Sequence, residues 1–344
     1  MKKLPRKIVV IRLSAMGDVA MTVPVISSLV NQHQVEVLML TNKAFEPMFH
    51  DIPNVTCISI DKKGRHKGLL GLYRLFLELK KENPDAVADL HDVIRSRILR
   101  VLFLINNVKT VTIDKGRSEK RNLVKKGKNQ SSSLKHSVER YKEVFQALGF
   151  QFELNFQSLF TTTPQLSPVF LKYFGEKKEK WVGIAPFAKH KGKMYPFDKM
   201  SEVISLLDKQ GIKMMLFGKG AQEMQLINEW HQKFTSVNSM PTNVHLLEEL
   251  QLMAHLDVMV SMDSANMHLA SLVGLPAVSI WGATHYYAGF LGWNQSVQYI
   301  VEADLPCRPC SVYGNKACKR KDYACLNNIS PQQIVDKINL ILDR

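Results

Sequence analysis

The 344-residue chain is 45% hydrophobic and 22% charged, which excludes a mostly disordered polypeptide. Its length suits two domains of about 150 residues each. The 46 Lys+Arg against 31 Asp+Glu give a formal net charge of +15, which points to an anionic partner: nucleic acid, a phosphorylated substrate or an acidic membrane surface.

The first half alternates strand and helix signals. Lys7 to Leu13 is a β-branched run of strand length, followed by Gly17, which would permit a tight turn, and a helical pattern over 19–30. Further strands are expected at 35–40, 55–60, 86–90 and 108–113, with helices at 70–81 and 136–148. Buried runs separated by helices imply parallel βαβ crossovers. Residues 115–133 are basic and lack apolar periodicity, so they read as an exposed loop; its cations are Lys115, Arg117, Lys120, Arg121, Lys125, Lys126 and Lys128. The stretch 150–180, with Pro164 and Pro168, should contain the linker.

The second half restarts the alternation, with strands at 181–186, 213–217, 244–246, 258–261 and 277–280. Helices are expected at 198–209, 221–233, 247–254 and 266–273, and Ser330-Pro331 opens a last one to Leu342. The fold class is therefore α/β, with two consecutive doubly wound halves. Ligands are expected at the carboxyl ends of the strands, in a cleft between the halves.

The short apolar run Ile8 to Ile11 behind the basic start is not a secretory signal, and no stretch approaches about 20 apolar residues. The five cysteines are odd in number and clustered late, unlike a secreted disulfide framework. A cytoplasmic protein is expected, peripheral to a membrane at most.

Neither GxxxxGK[ST] nor a GxGxxG after the first strand occurs, which removes support from ATPase and dehydrogenase readings. No Asp-x-Asp pair is present to clamp a metal–diphosphate. Three segments could carry chemistry. Asp18, where the first strand gives way to helix, could cap that helix or act as a general base on an acceptor hydroxyl. Ser261 to Ala270 forms a strand-to-helix turn: its N–H groups suit a diphosphate, Asp263 suits a sugar hydroxyl, and Asp263 and Ser264 could equally be caps. There His268 could equally be a core histidine. Lys189, Lys191 and Lys193 follow another strand and could neutralise phosphate, or be a solvated run. Cys307, Cys310, Cys318 and Cys325 could hold a structural zinc, or be redox-labile or merely packed.

In combination these segments resemble glycosyltransferase family 9, the ADP-heptose:lipopolysaccharide heptosyltransferase family. The resemblance runs through Lys7 to Val19, Asp89 to Ser96, His136 to Tyr141, Lys193-Met194-Tyr195-Pro196, Asp263 to Ala270 and the cysteine tail through Pro331. Ala265 and Asn266 stand where the family usually has Gly-Pro, so either the turn differs or its backbone is already helical.

The resemblance implies a GT-B fold: two Rossmann-like, doubly wound domains facing a central cleft. Residues 1–165 would bind acceptor and 175–330 the nucleotide sugar, while helix 331–344 could pack back on the N-terminal domain. It also implies inverting, metal-independent transfer of heptose or a related sugar from an ADP-sugar to the lipopolysaccharide inner core. Asp18 would be the base and Lys193 would stabilise the leaving diphosphate. Asp263, Ser264, Ala265, His268 and Glu223 would hold the donor. Arg95, Lys115, Arg117 and Arg121 would meet an anionic glycolipid acceptor at the inner face of the cytoplasmic membrane. No cofactor is required for catalysis in this reading, zinc in the cysteine cluster would be structural, and no nucleic acid is expected. The rival readings are another GT-B nucleotide-sugar enzyme of epimerase type and a basic nucleic-acid-binding protein.

Overall fold

Three short strands buried on both faces, flanked by two more polar ones, form the first layer. In the computed structural model, which describes residues 4–127, 132–241 and 243–343, the elements run β1 (Lys7–Ile11), α1 (Met16–Ala20), α2 (Val23–Gln32), β2 (Glu36–Thr41), β3 (Val55–Ser59), α3 (Gly68–Lys81), β4 (Ala86–Asp89), α4 (Ile94–Ile105) and β5 (Lys109–Thr112). The strands form an all-parallel sheet of order β3-β2-β1-β4-β5. In β1, Ile8, Val9, Val10 and Ile11 are fully buried, as a central parallel strand with both faces covered requires. One face carries α3 and α4, whose Leu75, Phe76, Leu79, Leu99 and Phe103 share a core with Val9, Leu38 and Val87.

The helix expected over 19–30 is two helices, α1 and α2. Pro24 sits in the first turn of α2, where its missing N–H costs nothing; inside one continuous helix it would clash with the carbonyl of Ala20. Gly17 lies within α1 and not in the left-handed region, so the turn after β1 does not rest on its freedom.

Segment 115–133 departs from expectation. It contains a helix, α5 (Arg117–Lys126), and Gly116–His136 belongs to the second compact unit, whereas α6 (Ser137–Leu148) returns to the first. Leu123 and Lys120, one turn apart, are the buried positions, and the Lys120 ammonium lies 4.3 Å from the centre of the Phe290 ring. A lysine in the apolar stripe hides the helical period. Lys128 lies outside the described residues.

The second unit continues from Phe160 with α7 (Pro168–Phe174), β6 (Trp181–Ala185), α8 (Phe197–Lys209), β7 (Lys213–Leu216), α9 (Ala221–Lys233), β8 (Val237–Ser239), α10 (Leu246–Met253), β9 (Val258–Met262), α11 (Ala265–Leu272), β10 (Ala277–Trp281), β11 (Ile300–Glu302), α12 (Ala324–Asn327) and α13 (Pro331–Leu342). Its parallel sheet has the order β11-β10-β9-β6-β7-β8. Gly183 in β6 lets Leu256 and Met259 pack close to the strand, Leu256 Cδ1 standing 2.6 Å from where a Cβ would be.

Residues 244–246, expected as a strand, instead start α10: the His245 N–H donates to the Glu248 carboxylate at 3.0 Å. The edge strand is β8, paired with β7 through Met214 and Val237. The C-terminal helix α13 does not extend the first unit. Its Ile334, Val335 and Ile338 complete the core of the second, against α8 and β9.

Candidate active site

Each sheet reverses its strand order at one place, and each reversal carries the residues of interest. In the first unit the reversal falls between β1 and β4; in the second, between β6 and β9. Loops leaving neighbouring strands part company there and open a crevice for ligand.

In the first unit, β1 is followed by Arg12, which is 6% exposed. Its Nη2 pairs with Asp18 Oδ2 at 2.6 Å, and its Nη1 donates to the Leu90 carbonyl at 2.7 Å. Asp18 Oδ2 also accepts the Ala15 N–H at 3.2 Å. The capping role and a chemical role therefore coexist in one carboxylate, a third of which stays open to solvent. Tyr141 of α6 closes the arrangement: its hydroxyl donates to the Asp18 carbonyl at 3.4 Å, and the Arg12 guanidinium stands 5.7 Å from its ring centre. Burial opposes the Arg12 charge, but Tyr141 and Asp18 outweigh it and raise its pKa. A charge-assisted bond of this kind fixes a carboxylate's direction.

Across the reversal, β4 delivers His91. The Leu13 N–H donates to its Nδ1 at 3.3 Å, so the neutral ring carries its proton on Nε2. Burial, reinforced by Arg12, Lys115 and Lys62 and opposed by Asp18, pushes His91 down to about 3. Lys115 donates to the Asp92 carbonyl at 3.4 Å, and Lys62 to the Leu13 carbonyl at 3.2 Å. Burial and then the nearby Arg95 charge lower the Lys62 pKa. The structure thus gathers Asp18, Arg95 and Lys115 at one sheet edge. Arg117 and Arg121 lie on α5, both exposed, in the second unit.

In the second unit, the chain leaving β6 makes a 3-10 turn over Lys191–Lys193 and the chain leaving β9 enters α11. Lys193 Nζ lies 2.7 Å from Asp263 Oδ2 and donates to the Asp263 carbonyl at 3.1 Å. Gly314, with φ of +73°, packs against the lysine stem, where a Cβ would stand 2.6 Å from Lys193 Cγ. Ser264 is the extended N-cap of α11, and neither Ala265 nor Asn266 has positive φ. The departure from Gly-Pro therefore leaves an ordinary helix start, with its first N–H groups at the carboxyl end of β9. His268 is buried one turn in. Tyr195 is a core residue that donates to the Ile329 carbonyl at 2.9 Å; burial, with Glu202 and Asp198, raises its pKa.

Glu223, in the first turn of α9, accepts the Lys219 N–H at 2.8 Å. Lys219 Nζ reaches Glu249 Oε1 of α10 at 2.5 Å, and burial raises the Glu249 pKa against that pairing. The sequence reading missed Arg12, Lys62, His91, Tyr141 and Glu249. Arg12, His91 and Tyr141 do lie inside the segments that carried the family resemblance, which was the available signal.

The cysteine tail follows β11. All four thiols are free, and among the described residues no group of three or more His, Cys, Asp or Glu could hold a metal ion. Cys325 sits in the core of the second unit, its thiol pushed up to about 11 by burial, and reads as a packing residue.

Comparison with known proteins places this geometry among relatives. The model for glycosyltransferase family 9 (heptosyltransferase) matches residues 72–321. The chain is 24% identical to lipooligosaccharide heptosyltransferase 2 of Campylobacter jejuni over 330 residues, which is 94% of this chain and 95% of that protein. Among solved structures it is similar to the ADP-heptose lipopolysaccharide heptosyltransferase II of Escherichia coli, with a TM-score of 0.72 at 18% identity over 98% of both chains. It is also similar to a family 9 glycosyl transferase from Veillonella parvula, with a TM-score of 0.74 at 18% identity over 98% of this chain and 97% of that one.

Proposed function

Since this chain belongs to glycosyltransferase family 9, we propose that it moves heptose, or a related sugar, from an ADP-sugar to the inner core of lipopolysaccharide by an inverting, metal-independent transfer. The names of its relatives support the donor and acceptor class. The observation that carries the chemistry is the residue set at the two strand-order reversals: a carboxylate fixed by a buried arginine in one unit, and a lysine beside a helix start in the other.

The acceptor hydroxyl oxygen forms a bond to the anomeric carbon from the face opposite the diphosphate, which inverts that centre. The carbon–oxygen bond to the diphosphate breaks, and its electron pair leaves on the phosphate oxygen. Asp18 takes the acceptor proton, while Arg12 holds that carboxylate in direction. Lys193 and the first N–H groups of α11 offset the charge that grows on the leaving diphosphate. Asp263 positions the lysine and accepts from a donor hydroxyl. Arg95 and Lys115 attract the anionic acceptor. The acceptor is a glycolipid in this reading, so the enzyme works at the cytoplasmic face of the inner membrane as a peripheral protein.

The test is ADP release from ADP-heptose with and without a delipidated inner-core acceptor. Acceptor-dependent ADP and a lengthened oligosaccharide are expected. Isomerised nucleotide sugar without acceptor would overturn the reading in favour of an epimerase.

A further inference from the structure

Helices α3 and α4 lie on the same face of the first sheet and bury one side each in a shared core. Their other sides do not follow the usual polar pattern. Of the sixteen large apolar side chains exposed among the described residues, eight sit on these two helices. Leu69 is 72% exposed, Leu70 81% and Tyr73 50%; on α4, Ile94 is 77% exposed, Val101 51% and Ile105 73%. The spacings 70, 73 and 94, 101, 105 are helical, so each helix carries a second apolar stripe facing outward. A contiguous exposed apolar face marks an interaction site.

The charge around that face selects the occupant. Residues 62–81 contain seven Lys and Arg and one acid, Glu78, which Arg65 pairs at 2.6 Å; residues 94–105 contain three Arg and no acid, with Arg97 and Arg100 paired to Asp92 and Asp89 ahead of the helix and Arg95 adding to the basic side. A second copy docking by the same face would bring two basic rims together, which like-charge repulsion opposes. Apolar side chains ringed by Lys and Arg match a lipid surface with anionic headgroups. We propose that the outer face of α3 and α4 docks on an anionic phospholipid bilayer, the apolar stripes entering the headgroup layer and the basic rim meeting its phosphates.

The placement fits the chemistry. Both helices begin at the carboxyl edge of the sheet, the edge at which β1 leads to Asp18. Leu69, Leu70 and Ile94 mark that end. A glycolipid held by its lipid in the bilayer then presents its sugars beside Arg95 and Asp18, a point that rests on the function proposed above.

The experiment is co-sedimentation of the full chain with vesicles containing phosphatidylglycerol, against vesicles of phosphatidylcholine alone. The wild type should sediment with the first and not the second. The double variant Leu70→Glu/Ile105→Glu, both positions being exposed, should bind about tenfold more weakly or worse. Its transfer to a soluble, delipidated acceptor should be unchanged. Equal sedimentation of variant and wild type, or no sedimentation of either, overturns the proposal. So does a wild-type dimer that becomes monomeric in the variant without vesicle binding, which assigns the face to a second copy. Wild-type vesicle binding that the variant loses, with no transfer by either, supports the docking and retires the transfer reading instead.

Discussion

The Lys193 ammonium sits 2.7 Å from Asp263 Oδ2 and 3.1 Å from the carbonyl oxygen of the same residue, tying the loop after β6 to the loop after β9. The pair is the electrostatic hinge of the second unit's ligand edge. Asp263 neutralises the lysine, and in the proposed transfer the diphosphate competes for a charge already held in position.

Lys193→Met should lower kcat by about 10²–10³-fold, the usual cost of removing a donor aimed at developing charge. It also leaves a buried carboxylate without its cation, which costs about 3–5 kcal/mol of stability. Adding Asp263→Asn should recover much of that stability but none of the turnover. Thermal melts and steady-state kinetics on both variants separate the two roles; recovery of turnover in the double variant would retire the lysine's part in leaving-group stabilisation.

Asp18→Asn keeps the cap geometry and loses the proton acceptor. Transfer should fall by about 10²–10⁴-fold while donor affinity, read by calorimetry, stays at the wild-type value. Near-normal turnover would remove Asp18 as the base.

His91 sets a pH dependence with a definite sign. Its folded pKa is held near 3, far below the ordinary imidazole value, so between about pH 6.5 and pH 3 the unfolded chain binds a proton that the folded chain refuses. The stability is complete above the unfolded pKa and is lost as pH falls through that window. From pH 7 to pH 5 the loss attributable to this ring is about 2 kcal/mol. His91→Asn retains an acceptor for the Leu13 N–H, and its urea midpoint should drop less between those pH values. Parallel midpoints for variant and wild type would refute the assignment.

Much of this was legible in the sequence, for identifiable reasons. β1 is an apolar, β-branched run, and α13 opens on a Ser330 cap with Pro331 in its first turn, so their bounds are nearly those observed. The family segments located Asp18, Lys193 and Asp263. What escaped was long-range or disguised. Lys120 buries its stem under Phe290, which masks α5; the β7–β8 pairing depends on a partner 23 residues away in sequence; and the Arg12–Asp18 pair appears only once β1 and α1 are folded together. Cysteine spacing left packing among its readings, and Cys325 lies in the core of the second unit.

Tyr195→Phe tests that distinction between motif and chemistry. The hydroxyl serves only the Ile329 carbonyl, so its loss should cost about 1 kcal/mol in urea unfolding and leave kcat unchanged. A large kcat effect would place the residue in the reaction.

Transfer should also proceed undiminished in EDTA, since Lys193 and the α11 start supply the positive charge in the proposed route. Activity lost to chelator and restored by a divalent ion would overturn that route.

The assignment of 116–136 to the second unit has a consequence for engineering. The chain passes between the units after Lys115, after His136 and after Leu159. A chimera cut once near residue 160, to graft the second unit of one parent onto the first unit of another, would strand α5 with the wrong parent. Lys120 would then face a foreign residue in place of Phe290. Exchange of the second unit calls for a three-junction graft, and recombination between relatives in nature should carry the same signature.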